Sequence, residues 1–223
     1  MIDLYFWPTA NGIKIPILLE ELGVEYHPIA LNIRTNEHKT DAFRKLSPNL
    51  KIPVLVDGGD AQDKDKAASS VTVFESGAIL LYLADKYGRF IPAGAQGRAQ
   101  AIEWLFWHSA HQAAAFGQYV RFVEQVPEQV SPPLLDAARA EVDRLYGVLE
   151  ARLAEAEYLA GEYSIADIAV FPWIQPRRHG RQWADTPNLA RWYAAVRARP
   201  ALGKVYDFGR GIAPGEQVLL DWT

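Results

Sequence analysis

Through its first 87 residues this 223-residue chain alternates strand-like and helix-like runs, and after that the strand-like runs stop. The opening run Ile2-Asp3-Leu4-Tyr5-Phe6-Trp7 is apolar and aromatic, and Pro8-Thr9-Ala10-Asn11-Gly12 breaks it. Ile13, Ile17, Leu18 and Leu22 then recur at helical spacing until Gly23 supplies a stop. Residues 25–31 read as a second strand, and Pro28 within it predicts an edge position because proline gives a ladder no N–H. A short helix is expected at 41–46 and strands at 52–57 and 71–74, joined by a polar loop over 58–70. From Glu75 onward Ile79, Leu80, Leu83 and Tyr87 trace another helix. The pattern is a βαβ unit followed by a ββα unit, which confines the fold to a small layered α/β domain.

Residues 88–93, with Gly88 and Pro92, read as a linker, and 94–223 as an all-helical domain with a C-terminal tail. Helices are expected over about 94–125, 134–156, 164–174 and 188–199, with Pro127, Pro132, Pro187 and Pro200 as boundaries. With 49% hydrophobic residues, each half can bury a core of its own. A net charge of -4 gives no basic stripe to displace counterions from phosphates, so nucleic acid is not expected as a partner. No apolar run approaches the roughly 20 residues that span a bilayer, and the first residues lack a signal-peptide pattern; a cytoplasmic protein with no membrane partner is expected. Cysteine is absent and the five histidines are scattered, so no metal site is expected.

Three motifs in the first half can carry chemistry. The turn Pro8-Thr9-Ala10-Asn11-Gly12 feeds a strand into a helix N-terminus, where unpaired N–H groups and the helix dipole favour an anion; ordinary capping by Thr9 or Asn11 explains it locally as well. In Lys51-Ile52-Pro53 a cis proline would leave the Ile52 backbone open to pair with an extended peptide ligand, whereas a trans proline would merely start a strand. In Phe74-Glu75-Ser76-Gly77-Ala78, Ser76 and adjacent N–H groups can hold a carboxylate while Glu75 holds an amine, the charge pair of an α-amino acid; the bland alternative is a helix start. Farther on, Ser164-Ile165-Ala166-Asp167 reads as a helix N-capping box.

Together, in this order, these motifs resemble the glutathione S-transferase family over essentially the whole chain. Within it the chain is most similar to the nu class, through the motifs above together with Ser47-Pro48-Asn49, Ile79-Leu80-Leu81-Tyr82-Leu83 and Trp104-Leu105-Phe106-Trp107. The resemblance implies a thioredoxin-like α/β domain with a mixed four-stranded sheet, an all-α bundle, and a homodimer. It also implies that glutathione binds through Asn11, Ile52, Glu75 and Ser76, with Thr9, Lys51 and Pro53 close by. His38 stands where a glutamine near the glycine end of glutathione is expected. No clear counterpart exists for an expected arginine of the helical half, for which Arg121 and Arg139 are the candidates. A second substrate, a small disulfide or an electrophile, is expected to face the helix carrying Trp104, Trp107, His108, His111 and Phe116.

Family classes differ in the group that contacts the sulfur. Cysteine is excluded, Tyr5 lies inside a strand, and the turn holds no serine, which leaves the Thr9 hydroxyl, the Asn11 amide and the helix N-terminus, as in the nu class. Lowering a thiol pKa from about 8.5 to about 6.5 takes roughly 2.7 kcal/mol. One charged hydrogen bond contributes about 1.5–3 kcal/mol and a helix terminus about 0.3–2, so the turn suffices without a general base. Reduction of small disulfides by glutathione is the leading expectation. Conjugation of electrophiles and a non-enzymatic binding role are the alternatives. The three-residue spacing of His108 and His111 allows a shared helix face, with packing expected rather than metal binding, and Arg177, Arg178, His179 and Arg181 are expected to form a solvated positive cluster rather than a substrate clamp.

Overall fold

The computed structural model describes residues 1–58 and 70–216; most of the loop expected at 58–70 lies outside the described residues. The chain divides into two compact units, one of residues 1–89 together with the segment from Pro200 onward, the other Phe90–Arg199.

The first unit is built on a four-stranded sheet of order β2-β1-β3-β4. In β1 (Ile2–Phe6) the side chains of Ile2, Leu4 and Phe6 are buried and those between them are not, as a period of two requires. β1 runs parallel to β2 (Tyr26–Ala30), with Ile2 opposite Tyr26. A parallel pair needs a crossover, and α1 (Lys14–Leu22) supplies it. Pro28 does lie in an edge strand. β3 (Val54–Asp57) pairs antiparallel with β1, and β4 (Val71–Phe74) antiparallel with β3, so the sheet is mixed as expected. Gly23 ends α1 in the left-handed region at φ 70°, its N–H reaching the Glu20 carbonyl oxygen. Thr40 caps α2 (Asp41–Leu46) by accepting from the Phe43 N–H at 3.1 Å. α3 (Ser76–Tyr87) buries Ile79, Leu80, Leu83 and Ala84, and packs on α1.

In the second unit α4 (Ala95–Trp107) and α5 (Ala113–Val120) are separated by a wide π-type turn at His108–Gln112. That turn alters the periodicity. His108 is buried, as expected of a packed histidine, its Nδ1 2.6 Å from Gln112 Oε1, while His111 is exposed, so the two do not share a face. α6 (Pro132–Glu155) buries Val142, Leu145, Tyr146, Leu149 and Leu153 and packs against α5 and α8 (Pro187–Arg197). The capping box forms at the start of α7 (Ile165–Val170). Asp167 Oδ2 accepts from the Ser164 N–H at 2.9 Å, and its other oxygen accepts from the Leu159 N–H at 3.0 Å and Trp192 Nε1 at 2.8 Å.

Pro200 marks a helix boundary as expected: it opens α9 (Pro200–Ile212), which packs on α1 within the first unit, because a helix's first turn has no use for the missing N–H. Beyond it, buried Glu216 accepts from Trp7 Nε1 at 2.8 Å and from both ends of the Arg34 guanidinium at 3.0 and 2.9 Å. One expectation about the second unit needs correction: the arginine cluster is not a solvated positive face. Arg178 pairs with Glu124, Arg181 with Asp143, and His179 is buried with its Nδ1 2.8 Å from the Tyr146 hydroxyl.

Candidate functional site

The three motifs of the first half meet at a cavity of about 120 Å³ lined by Asn11, Ser47, Asn49, Lys51, Ile52, Pro53, Phe74, Glu75 and Ser76. Asn11 arrives on the turn after β1. Gly12 is required there: a Cβ at this position would lie 1.8 Å from the Trp7 carbonyl oxygen, and only glycine lets the chain close so tightly. The Trp7 carbonyl also accepts from the Thr9 N–H at 2.7 Å, and Thr9 Oγ1 accepts from the Gly12 N–H at 3.2 Å. The Thr9 hydroxyl thus braces the turn and keeps its own O–H donor. Thr9 is not among the lining residues, and neither is His38, whose half-buried ring holds a buried Nδ1 with no hydrogen-bond partner among the described residues. Burial and the neighbouring Lys39 lower the His38 pKa.

The far wall comes from the segment before β3. Ser47 is buried, its hydroxyl donating to the Lys51 carbonyl at 3.0 Å and accepting from the Lys51 N–H at 3.3 Å, which folds 47–51 into a closed loop. The Ile52–Pro53 peptide bond that follows is cis. The third wall is the start of α3. Glu75 has φ 71° and ψ 121°, a region that non-glycine residues avoid at a cost of about 1–3 kcal/mol and that concentrates at functional sites. No side chain caps α3, so its first N–H groups open beside Ser76.

Beneath this arrangement lies a residue that the sequence reading overlooked. Lys14, in the first turn of α1, is fully buried; its Nζ donates to Asn11 Oδ1 at 2.7 Å and to Ser76 Oγ at 3.4 Å. Burial holds its pKa well below the ordinary lysine range, and the nearby Glu75 carboxylate works in the opposite direction. The available signal was its place at helical spacing from Ile17 and Leu18, a cation on an apolar stripe three residues after Asn11. Tyr5 lies away from these walls, its ring 6.0 Å from that of Phe43.

The description "Glutathione S-transferase, N-terminal domain" matches residues 2–85 and "Glutathione S-transferase, C-terminal domain" matches 102–200. The chain belongs to the glutathione S-transferase family. Among curated relatives of this glutathione S-transferase, the disulfide-bond oxidoreductase YfcG of Escherichia coli is 39% identical over 92% of this chain and 94% of its own length. The disulfide-bond oxidoreductase YghU of the same organism is 35% identical, over 90% and 72% respectively. A solved glutathione transferase from Burkholderia graminis, with two glutathione molecules bound per subunit, superimposes with a TM-score of 0.83 at 40% identity, covering 92% of this chain and 86% of that one. A second, from Pseudomonas putida with one glutathione disulfide bound per subunit, also gives 0.83, at 32% identity over 92% and 90%. The mixed sheet and helical unit of this glutathione S-transferase are therefore those of its family.

Proposed function

We propose that this chain is a glutathione-dependent disulfide reductase in which glutathione, bound in the cavity of the first unit, is the sulfur nucleophile. The observation that carries the reading is the convergence of Asn11, Ile52, Glu75 and Ser76 on one cavity in a chain that has no cysteine. A γ-glutamyl group presents an amine and a carboxylate on one carbon. The Glu75 carboxylate suits the amine, and the Ser76 hydroxyl with the uncapped N-terminus of α3 suits the carboxylate. The Ile52 backbone suits the peptide of the cysteinyl residue, with Lys51 and Pro53 shaping the rim. Asn11, helped by the Thr9 hydroxyl, stabilises the thiolate, and His38 takes a place near the glycine end.

The chemistry that follows needs nothing from the protein but alignment and charge stabilisation. The Asn11 amide favours loss of the thiol proton. The thiolate attacks one sulfur of a small disulfide, the S–S bond breaks, and one thiolate departs with the bonding electron pair. A second glutathione thiolate resolves the mixed disulfide, giving glutathione disulfide and the second product thiol, so two glutathiones are oxidised for each disulfide reduced. Support comes from the two oxidoreductase relatives and from the two transferase structures, which bind two glutathiones or one glutathione disulfide. The reading extends to the nu class and to a homodimer on the strength of the family resemblance, and to the cytoplasm on the sequence pattern of the first residues. No helix among the described residues is long and apolar enough to cross a membrane.

Rates with a hydroxyethyl-type disulfide and with a halonitrobenzene electrophile decide between reduction and conjugation. The disulfide is expected to turn over with glutathione disulfide as product. Conjugate formation without disulfide consumption would assign the chain to electrophile transfer instead.

A further inference from the structure

Lys14 occupies a position where a lysine is costly. It lies wholly inside, and burial of an ammonium is tolerated only when hydrogen bonds and charge compensate. Here the compensation faces the cavity: Asn11 Oδ1 at 2.7 Å, Ser76 Oγ at 3.4 Å and the charge of Glu75. All three line the same cavity, Asn11 on one wall and Glu75 and Ser76 on another. An ammonium only donates, so the end of the Asn11 amide that meets it must be the carbonyl oxygen, and the NH₂ end is turned away from it. An amide rotated the other way would present an oxygen to a thiolate and repel it.

We propose that Lys14 is a positioning residue for the thiol subsite: its ammonium fixes the Asn11 amide so that Nδ2, a pure donor, is the end offered to the glutathione sulfur. The inference rests on the reading above that Asn11 stabilises the thiolate. The shorter contact sets the hierarchy. A charge-assisted bond of 2.7 Å orients Asn11, while the longer contact to Ser76 ties the same ammonium to the start of α3. A lysine serving only to join α1 to α3 would affect stability and leave the sulfur untouched, and this difference makes the proposal testable.

The experiment titrates the thiolate ultraviolet absorbance of glutathione bound to the full chain, with S-methylglutathione as the blank, in wild type, Lys14→Met, Asn11→Ala and the double variant. Lys14→Met is expected to raise the bound thiol pKa by about one unit, a tenfold fall in the thiolate-to-thiol ratio at a given pH. In the Asn11→Ala background the same change is expected to add little, because its target is gone. Thermal unfolding checks each variant. Should Lys14→Met fail to fold, Lys14→Gln keeps an N–H₂ donor without the charge and is expected to give a smaller rise in the same direction. An unchanged thiol pKa in whichever of these variants folds overturns the proposal, and so does full additivity with Asn11→Ala. If Asn11→Ala itself leaves the pKa where it was, the reading of Asn11 falls, and this inference with it.

Discussion

Asn11 lines the cavity and its Oδ1 accepts from buried Lys14, which makes the two ends of its amide chemically unequal. Loss of one hydrogen bond to a charged group costs about 1.5–3 kcal/mol, or roughly a tenfold to hundredfold drop in rate when the bond is made to a developing thiolate. Asn11→Ala is therefore expected to lower kcat/KM for a small disulfide by about that factor. Tyr5→Phe, which removes a hydroxyl on a strand away from the cavity walls, is expected to change it less than about twofold. Steady-state kinetics on the two variants checks this, and the opposite ranking would transfer the sulfur to the tyrosine. Of the cavity lining at this scale, Asn11, Lys51, Ile52, Pro53, Glu75 and Ser76 were legible only through the order of their motifs, which resembles a family, because each motif alone reads equally as a cap, a strand start or a helix start. Lys14 was not, because lysine is read as a surface residue and its burial depends on partners 3 and 62 positions away.

Among the elements, two buried titratable groups of the second unit, His179 and Asp167, act in opposite directions. His179, packed on Phe116 and hydrogen-bonded to Tyr146 of α6, is lowered from 6.5 to about 3, first by burial and then by Arg178, with Glu124 opposing. Asp167, at the start of α7, is raised from 3.8 to about 6 by burial, against the pull of its four hydrogen bonds. Between about pH 3 and 6.5 the unfolded chain binds a proton at His179 that the folded chain refuses, so this group's contribution is lost on acidification through that window. Between 3.8 and about 6 the folded chain keeps a proton on Asp167 that the unfolded chain releases, so that contribution falls as pH rises. The two slopes offset each other where they overlap. His179→Phe removes one of them, and its stability relative to wild type is expected to rise by about 1.4 kcal/mol per unit of acidification between about pH 6 and 4. Urea unfolding at a series of pH values measures it, and a constant difference would mean that the buried imidazole titrates normally.

For the molecule as a whole, what could be read from the sequence and what could not divide by range. Alternation in β1, the edge placement of Pro28, the stop at Gly23 and the box at Ser164 and Asp167 are written within a few residues of where they act. The return of α9 to α1, the burial of His179 against α6 and the periodicity break at His108–Gln112 arise from packing between distant segments, which no local pattern records. The absence of cysteine is a whole-chain property, and it is the one that places the nucleophile on glutathione. That claim is tested most directly by the structure of the protein soaked with glutathione disulfide. The account predicts a sulfur within hydrogen-bond distance of Asn11 Nδ2, with the γ-glutamyl amine at Glu75 and its carboxylate at Ser76; a sulfur held by the Tyr5 hydroxyl, or a cavity left empty at saturating ligand, would contradict it.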